Sequence, residues 1–429
     1  APLAEPPPHG VVSIAVTTPT LSFRPGHPFL LELPWATPIE EWDDPHLVEV
    51  PTGLHRHVVR FVAFDDEIYA IKELPRRVAR HEYNTLRALE NRVSPVAQAA
   101  GLVDRSWIAA DREPSAAVIT RYVKFTFTYR ELISGGNFGP RRRQMLDAVA
   151  GLLVELHLAG CYWGDCSLSN LLYRYDAGAI QAVMIDAETS ELHDELSAGQ
   201  REHDLDIMVV NLAGGMADIA AEQGLDLDDA DLTLGEDVAR VYRALWTELT
   251  EPVVIGAEEG YRVQERVERL NNLGFEVGDM DLLPYEGGPG RRLEVSVSVG
   301  GRTFHTSRLR DLTGIEASEE QARQILTDLQ YYEAVEPRAS ATGKAVHAIR
   351  WRVEVFEPLL AEIAARAGDR DAVQLYCDYL HHRYLMAAAA GRDIANAEAF
   401  DHWVEEGMPG IAVEPQPVDG QPEAAATAS

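Results

Sequence analysis

The stretch from Arg141 to Ile185 restricts the fold more than any other part of the chain. Met145, Val149, Leu152, Leu153 and Leu156 recur at helical spacing between Arg141 and Ala159, and Gly160 supplies a C-terminal stop. A loop ending in Trp163-Gly164-Asp165-Cys166-Ser167-Leu168-Ser169-Asn170 follows. Leu171 to Tyr175 and Ile180 to Ile185 then bracket Asp176-Ala177-Gly178 as a hairpin. An apolar helix that hands its chain to a polar loop and then to a hairpin calls for a helical body that buries the helix and presents the loop.

Upstream lies a second hairpin signal, His57 to Phe64 and Glu67 to Leu74 around Asp65-Asp66. Arg80 to Leu89 follows as a helix with Tyr83, Leu86 and Leu89 on one face, and Ala117 to Val123 as a further strand. Beyond Ile185 the chain reads as mostly helix to about Glu251. The order is α+β, with an antiparallel sheet preceding a helical lobe.

A third region begins near Gly256. Tyr261 to Leu273, Ser318 to Val335 and Ile349 to Leu380 read as helices, and Leu293 to Thr306 as a hairpin around Gly300-Gly301. The proline-rich residues 1–32 read as a flexible leader, and residues 411–429 as a disordered tail. The expected divisions between these ends are 33–125, 126–255 and 256–410.

Charge narrows the choice of partner. The 69 acidic and 38 basic residues leave a net charge of −31, so the general surface has no attraction for nucleic-acid backbones or anionic lipid. Three cysteines, Cys161, Cys166 and Cys377, form neither a disulfide framework nor a CxxC knuckle and fit a reducing cytoplasm. No apolar run approaches the roughly 18 residues of a membrane span. Lysine is scarce, with only Lys72, Lys124 and Lys344, so a lysine within a motif is informative.

Lys72 lies mid-strand, and Glu82 follows ten residues later on the next helix. A carboxylate that orients a strand lysine is the arrangement that grips the α- and β-phosphates of a nucleotide. The loop supplies Asp165-x-x-x-x-Asn170, and Asp186 ends the hairpin strand. Phosphoryl transfer needs a carboxylate to receive a hydroxyl proton and oxygen ligands for Mg²⁺. Asp165 suits the first role, Asn170 and Asp186 the second.

These residues resemble those of protein kinases. Tyr-Ala-Ile-Lys72 is similar to the V-A-I-K strand, Glu82 to the αC glutamate, WGDCSLSN to the H-R-D-L-x-x-x-N loop and Ile-Asp186-Ala-Glu to D-F-G. Trp163-Gly164 replaces His-Arg, Ala187-Glu188 replaces Phe-Gly, and no A-P-E follows. His157-Leu-Ala-Gly160 through Asp165 and Asn170 resembles the atypical lipopolysaccharide (Kdo/Waa-type) and RIO-type kinases. From about Leu33 to Pro409 the chain resembles an uncharacterised bacterial family, a domain of unknown function near the lipopolysaccharide kinases, on the stretches GLHRHVVRF, WGDCSLSNLLY, DAETSELH and GQREHDLDI.

The resemblance implies a bilobal protein-kinase-like fold with a mostly helical C-terminal accessory domain, and an ATP- and Mg²⁺-dependent phosphotransferase. Its acceptor would be a hydroxyl on a small molecule, sugar or protein. The alternative is a nucleotide-binding pseudokinase or scaffold acting on a protein partner through its C-terminal domain. The nucleotide-covering loop is poor in glycine, so Gly53, Arg56 and His57 are the expected nucleotide contacts there, with side chains in place of an amide cradle. Asp204 is expected to support the catalytic loop, while Asp206 and Glu188 stay unassigned. Cys166 reads as a buried small residue and Arg121 as adjacent to a hinge.

Residues 291–352 carry a net charge of +2, and Thr306 to Leu312 with Ser318 to Leu329 has the spacing of a helix-turn-helix. Glu319 and Glu320 would face phosphates if the second helix entered a groove, which argues against nucleic acid. His381-His382-Arg383-Tyr384 is not metal spacing, because adjacent histidines point to different faces of a helix. It reads as packing or interface.

Overall fold

The structure is a computed structural model. It describes residues 18–50, 57–65, 67–92, 95–132, 141–224, 226, 229–256, 259, 261–284, 292–335 and 344–411. Contacts divide the chain into two units, Ala1–Asn84 with Gln98–Tyr122, and Thr85–Ala97 with Val123–Ser429. The second unit holds both of the stretches expected at 126–255 and 256–410.

The first unit is built on an antiparallel six-stranded sheet. Its strands are β1 (Thr20–Phe23), β2 (Leu47–Val48), β3 (Val59–Phe64), β4 (Glu67–Leu74), β5 (Ala99–Asp104) and β6 (Ala116–Arg121), in spatial order β1-β5-β6-β4-β3-β2. Helix α1 (Arg76–Glu90) follows β4. The leader expected over residues 1–32 is corrected from Thr20 onward. Thr20–Phe23 pairs with Gly101–Asp104, because a strand whose Leu21 and Phe23 pack against the core satisfies the open edge of β5. Trp35, Ile39 and Trp42 then seal the same core face with Tyr69, Ile71 and Val103.

A buried ion pair fixes that seal. Arg105 Nη1 lies 2.6 Å from Glu73 Oε1. The same guanidinium donates to the carbonyls of Trp35, Thr37 and Pro114, and Glu73 accepts from the Ile39 amide. Burial raises the Glu73 carboxyl and lowers Arg105, so desolvation outweighs their attraction. The pair therefore specifies where the N-terminal segment docks more than it stabilises the unit.

The second unit opens with β7 (Thr126–Phe127), α2 (Tyr129–Leu132) and the apolar helix α3 (Arg142–Leu158). Strands β8 (Cys161–Tyr162), β9 (Leu171–Asp176), β10 (Ala179–Met184) and β11 (Glu191–Leu192) follow, and then helices α4 (Ala198–Gln223), α5 (Asp229–Leu232) and α6 (Leu234–Thr250). The β9–β10 turn is the two-residue type, with Ala177 at φ 47° and Gly178 at φ 91°. Gly160 cannot be replaced without a shift, since its φ is 76° and an added Cβ would lie 2.2 Å from the His193 carbonyl.

A three-stranded antiparallel sheet comes next, formed by β12 (Val253–Gly256), β13 (Val277–Pro284) and β14 (Arg292–Val299), with α7 (Tyr261–Asn272) between the first two strands. The hairpin expected over Leu293 to Thr306 is therefore misplaced. β14 pairs with upstream strands, and the chain beyond Gly300-Gly301 enters helix α8 (Phe304–Thr313). Helices α9 (Glu319–Val335), α10 (Lys344–Trp351), α11 (Glu357–Ala367), α12 (Ala372–Ala390) and α13 (Asn396–Glu405) complete the unit. The single helix expected over Ile349 to Leu380 is broken at Gly368, at φ 60°, and α12 restarts behind Asp371, whose side chain accepts from the Val373 amide. Among the described residues no helix is long and apolar enough to cross a membrane.

Helix α9 is capped from far away in sequence. Asp176, at the β9–β10 turn, accepts from Ser318 Oγ at 2.6 Å, the Gln321 amide at 2.8 Å and the Glu320 amide at 3.2 Å. Ser318 thus donates to Asp176, and the N-terminus of α9 is committed to a protein carboxylate. This disfavours entry of α9 into a nucleic-acid groove. We expect Asp176→Ala to lower stability by about 2 kcal/mol, the upper range for loss of an N-cap, read as a lower urea midpoint with unchanged slope. An unaltered midpoint would show that the cap carries no stability.

Candidate functional site

Within the first unit the chemistry centres on β4. Alternation along the strand turns Tyr69, Ile71 and Glu73 to the packed face, leaving Ala70 and Lys72 on the other. Lys72 is on a central strand, opposite Val59 of β3 and Val118 of β6. Its Nζ lies 3.3 Å from Glu82 Oε2 on α1, with side-chain exposures of 16 % and 2 %. A carboxylate this buried holds the ammonium in one place, which a freely rotating surface lysine lacks. His57, before β3, places Nδ1 2.6 Å from Glu113 Oε1. Gly53 and Arg56 lie outside the described residues. Arg121 closes β6, its Nε 2.5 Å from Glu67 Oε2.

Within the second unit the loop after β8 hangs from one buried carboxylate. Asp204, on α4, accepts from the Trp163 amide at 2.7 Å and the Gly164 amide at 2.8 Å, and its Oδ2 lies 3.1 Å from His157 Nε2. The other nitrogen of His157 is 2.7 Å from the Tyr242 hydroxyl on α6. Asp204 is fully buried and His157 nearly so. Gly164 has φ 75°, and a Cβ there would press on Thr189 and Tyr162, so this sharp bend requires glycine.

The loop presents Asp165 between two amides. Asn170 Nδ2 donates to the Asp165 carbonyl at 3.0 Å and to Oδ2 at 3.1 Å, while Asn211 Nδ2 on α4 donates to Oδ1 at 2.9 Å. Burial is the main cause lifting the Asp165 carboxyl above its ordinary range. Asp186 and Glu188 add to the rise, and the Asn170 and Asn211 hydrogen bonds oppose it. Asp186 stands after β10, where its Oδ1 accepts from the Glu188 amide and its carbonyl accepts from the Trp163 indole at 3.1 Å.

The donor set suits a hard divalent cation. With the amide nitrogen of Asn170 turned toward Asp165, its oxygen is the free end of that group's polarity, and Asp186 adds carboxylate oxygens. Asp165, Asp186 and Glu188 also concentrate negative charge that such a cation would offset.

The structure brings Lys72 to Glu82, and Asp165 to Asn170 with Asp186 nearby, each group within one unit. Asp206 is exposed on α4. Cys166 is fully buried, and burial pushes its thiol well up. Asn211 was not anticipated from the motifs. The signal that marks it is its position seven residues after Asp204, two helical turns along the same face. We expect Asp204→Asn to cost about 3 kcal/mol, because hydrogen bonds to a buried charge are lost and a donor is stranded. Amide exchange at Trp163 and Gly164 should accelerate, and unchanged protection there would show that another group holds the loop.

Family models cover most of the chain in two pieces. Residues 62–230 match the Lipopolysaccharide kinase (Kdo/WaaP) family, and residues 244–408 match a Domain of unknown function (DUF4032). The resemblance to lipopolysaccharide kinases read from the motifs is thereby borne out for residues 62–230, and a domain of unknown function is matched as well, over the C-terminal residues 244–408 and not over the stretches that suggested it. Lys72, Glu82, Asp165, Asn170 and Asp186 fall inside the first match, while Gly53, Arg56 and His57 precede it. No curated protein matches. Among solved structures, a chain titled "WaaP in complex with acyl carrier protein" is 16 % identical, with 59 % of this chain and 98 % of that chain covered and a TM-score of 0.36.

Proposed function

We propose that this chain, whose residues 62–230 match a lipopolysaccharide-kinase family, is an ATP- and Mg²⁺-dependent phosphotransferase acting on a hydroxyl acceptor. The observation that carries the reading is the double amide grip on Asp165 in a loop suspended from Asp204. A carboxylate with both oxygens engaged, beside two further acids, is built to stay in one orientation and to receive a proton.

Lys72, held by Glu82, binds the α- and β-phosphates of ATP, and Gly53, Arg56 and His57 cover the nucleotide. Asn170 and Asp186 are the magnesium ligands, and the ion when bound neutralises phosphate charge. Asp165 accepts the proton of the acceptor hydroxyl as its oxygen bonds to the γ-phosphorus, and the β–γ bridging oxygen departs with ADP. Residues 256–410 form an accessory domain.

ATP turnover and autophosphorylation of the full chain test the assignment. Asp165→Ala should lower the rate by about 10²- to 10⁴-fold, the range for loss of a positioned acid–base group, and Asp186→Asn should also lower it, by removing a carboxylate from the metal ligands. Equal rates in all three proteins would refute it. Asp165 acts as the ionised base, so activity should rise with pH through a pKa above the ordinary carboxylate range. Asn211→Ala, which removes a hydrogen bond favouring the ionised form, should move that limb to higher pH. An unmoved limb would place the titration on another group.

A further inference from the structure

Helices α12 and α13 pack through aromatic rings that fix their mutual register. Tyr379 stacks edge-on against Phe400 at 5.8 Å and Trp403 at 5.9 Å, and its hydroxyl donates to the carbonyl and side-chain oxygens of Asn396. All three rings are buried. One turn beyond Tyr379 comes His382, and on the α13 side His402 is followed at i+4 by Glu406. The packing therefore delivers three metal-type side chains from two helices to one spot.

Their geometry is convergent. His382 Nε2 and His402 Nδ1 are 3.0 Å apart, with ring centroids at 5.2 Å. Glu406 places Oε2 3.9 Å from His382 Nδ1 and Oε1 3.9 Å from His402 Nε2. One donor atom from each residue lies within 4.8 Å of the other two. Ligands about 2.0–2.1 Å from a tetrahedral zinc ion sit a little over 3 Å from one another; the His382 Nε2–His402 Nδ1 pair already has nearly that spacing, and Glu406, which faces the opposite ring nitrogens at 3.9 Å, must turn toward that pair for all three to share one ion.

We propose that His382, His402 and Glu406 bind a divalent cation of the zinc class, with water in the remaining position. Two imidazoles and one carboxylate favour a borderline ion over magnesium or calcium, which take oxygen ligands. The nearby Arg383 is turned away, with its Nη2 2.7 Å from Asp328 Oδ1. The last turn of α13, whose carbonyls form the negative end of the helix dipole, adds favourable potential beside Glu406. His402 and Glu406 are 45 % and 51 % exposed, which gives an ion a path from solvent, while His382 at 12 % anchors the inner side. Bound there, the ion clamps α13 onto α12. The site lies in the region matching the domain of unknown function, and it is independent of the phosphotransferase reading.

The experiment uses the full chain, stripped with a chelator and dialysed against zinc in excess magnesium, so that oxygen-ligand sites are already filled. The wild type should hold one more equivalent of zinc than His402→Ala or His382→Gln, and Glu406→Gln should bind at least tenfold more weakly. Zinc should raise the melting temperature of the wild type but not of His402→Ala. Cobalt in place of zinc should give the intense visible bands of a tetrahedral N/O site in the wild type alone. His402 is half-exposed, so circular dichroism should show the variant folded. Should a variant misfold, competition of cobalt with zinc on the wild type still decides the outcome. Equal zinc uptake by wild type and folded variants, or an octahedral cobalt spectrum, would overturn the proposal.

Discussion

The second unit depends on the carboxylate of Asp204. A side chain this buried is costly unless every oxygen is engaged, and here it takes two loop amides and lies against a histidine. The loop between β8 and β9 has little strand pairing of its own, so its amides need an acceptor from elsewhere. Helix α4 supplies it, and two turns further along the same helix Asn211 reaches Asp165. One helix thereby sets both the path of the loop and the orientation of its acid. The influence extends through Trp163, whose indole holds the backbone of Asp186.

In the first unit β4 has two roles because consecutive side chains face opposite ways. Glu73 is turned into the packed face, where Arg105 and the Trp35–Ile39 segment surround it, and its neighbour Lys72 is turned the other way to meet Glu82. Slipping this strand by one residue would bury the lysine and strip Arg105 of its partner. The buried pair thus protects the register on which the placement of Lys72 rests.

The region beyond Val253 is tied to the loop-bearing part of the same unit by polar contacts of long sequence range. Asp176 caps α9, and Gln374 on α12 accepts from the Ala177 amide. Both contacts fall on the tight β9–β10 turn, so the hairpin that follows the candidate catalytic loop also serves as the docking point for the C-terminal helices. Those helices gather a core around Trp351, Tyr376, Tyr379 and Trp403, and the same core aligns His382 with His402.

What the chain declares by itself is local and periodic. The apolar stripe from Met145 to Leu156, the glycine stop at Gly160, the two-residue turn at Ala177-Gly178 and the spacing from Asp165 to Asn170 depend on neighbours in sequence, and for that reason they were legible before any fold was known. Lys72 and Glu82 were legible too, since strand alternation and a short strand–helix step leave them little choice. The break at Gly368 rests on local signals as well, the glycine and the Asp371 cap. The leader strand at Thr20–Phe23 and the true partner of β14 were not legible, because each depends on what a distant segment offers as a partner. Asn211, the Asp176 cap and the meeting of His382 with His402 and Glu406 belong with these. Groups 20 to 145 residues apart in sequence are brought together only when burial of apolar faces fixes how the elements pack, and only then do their polar atoms find one another.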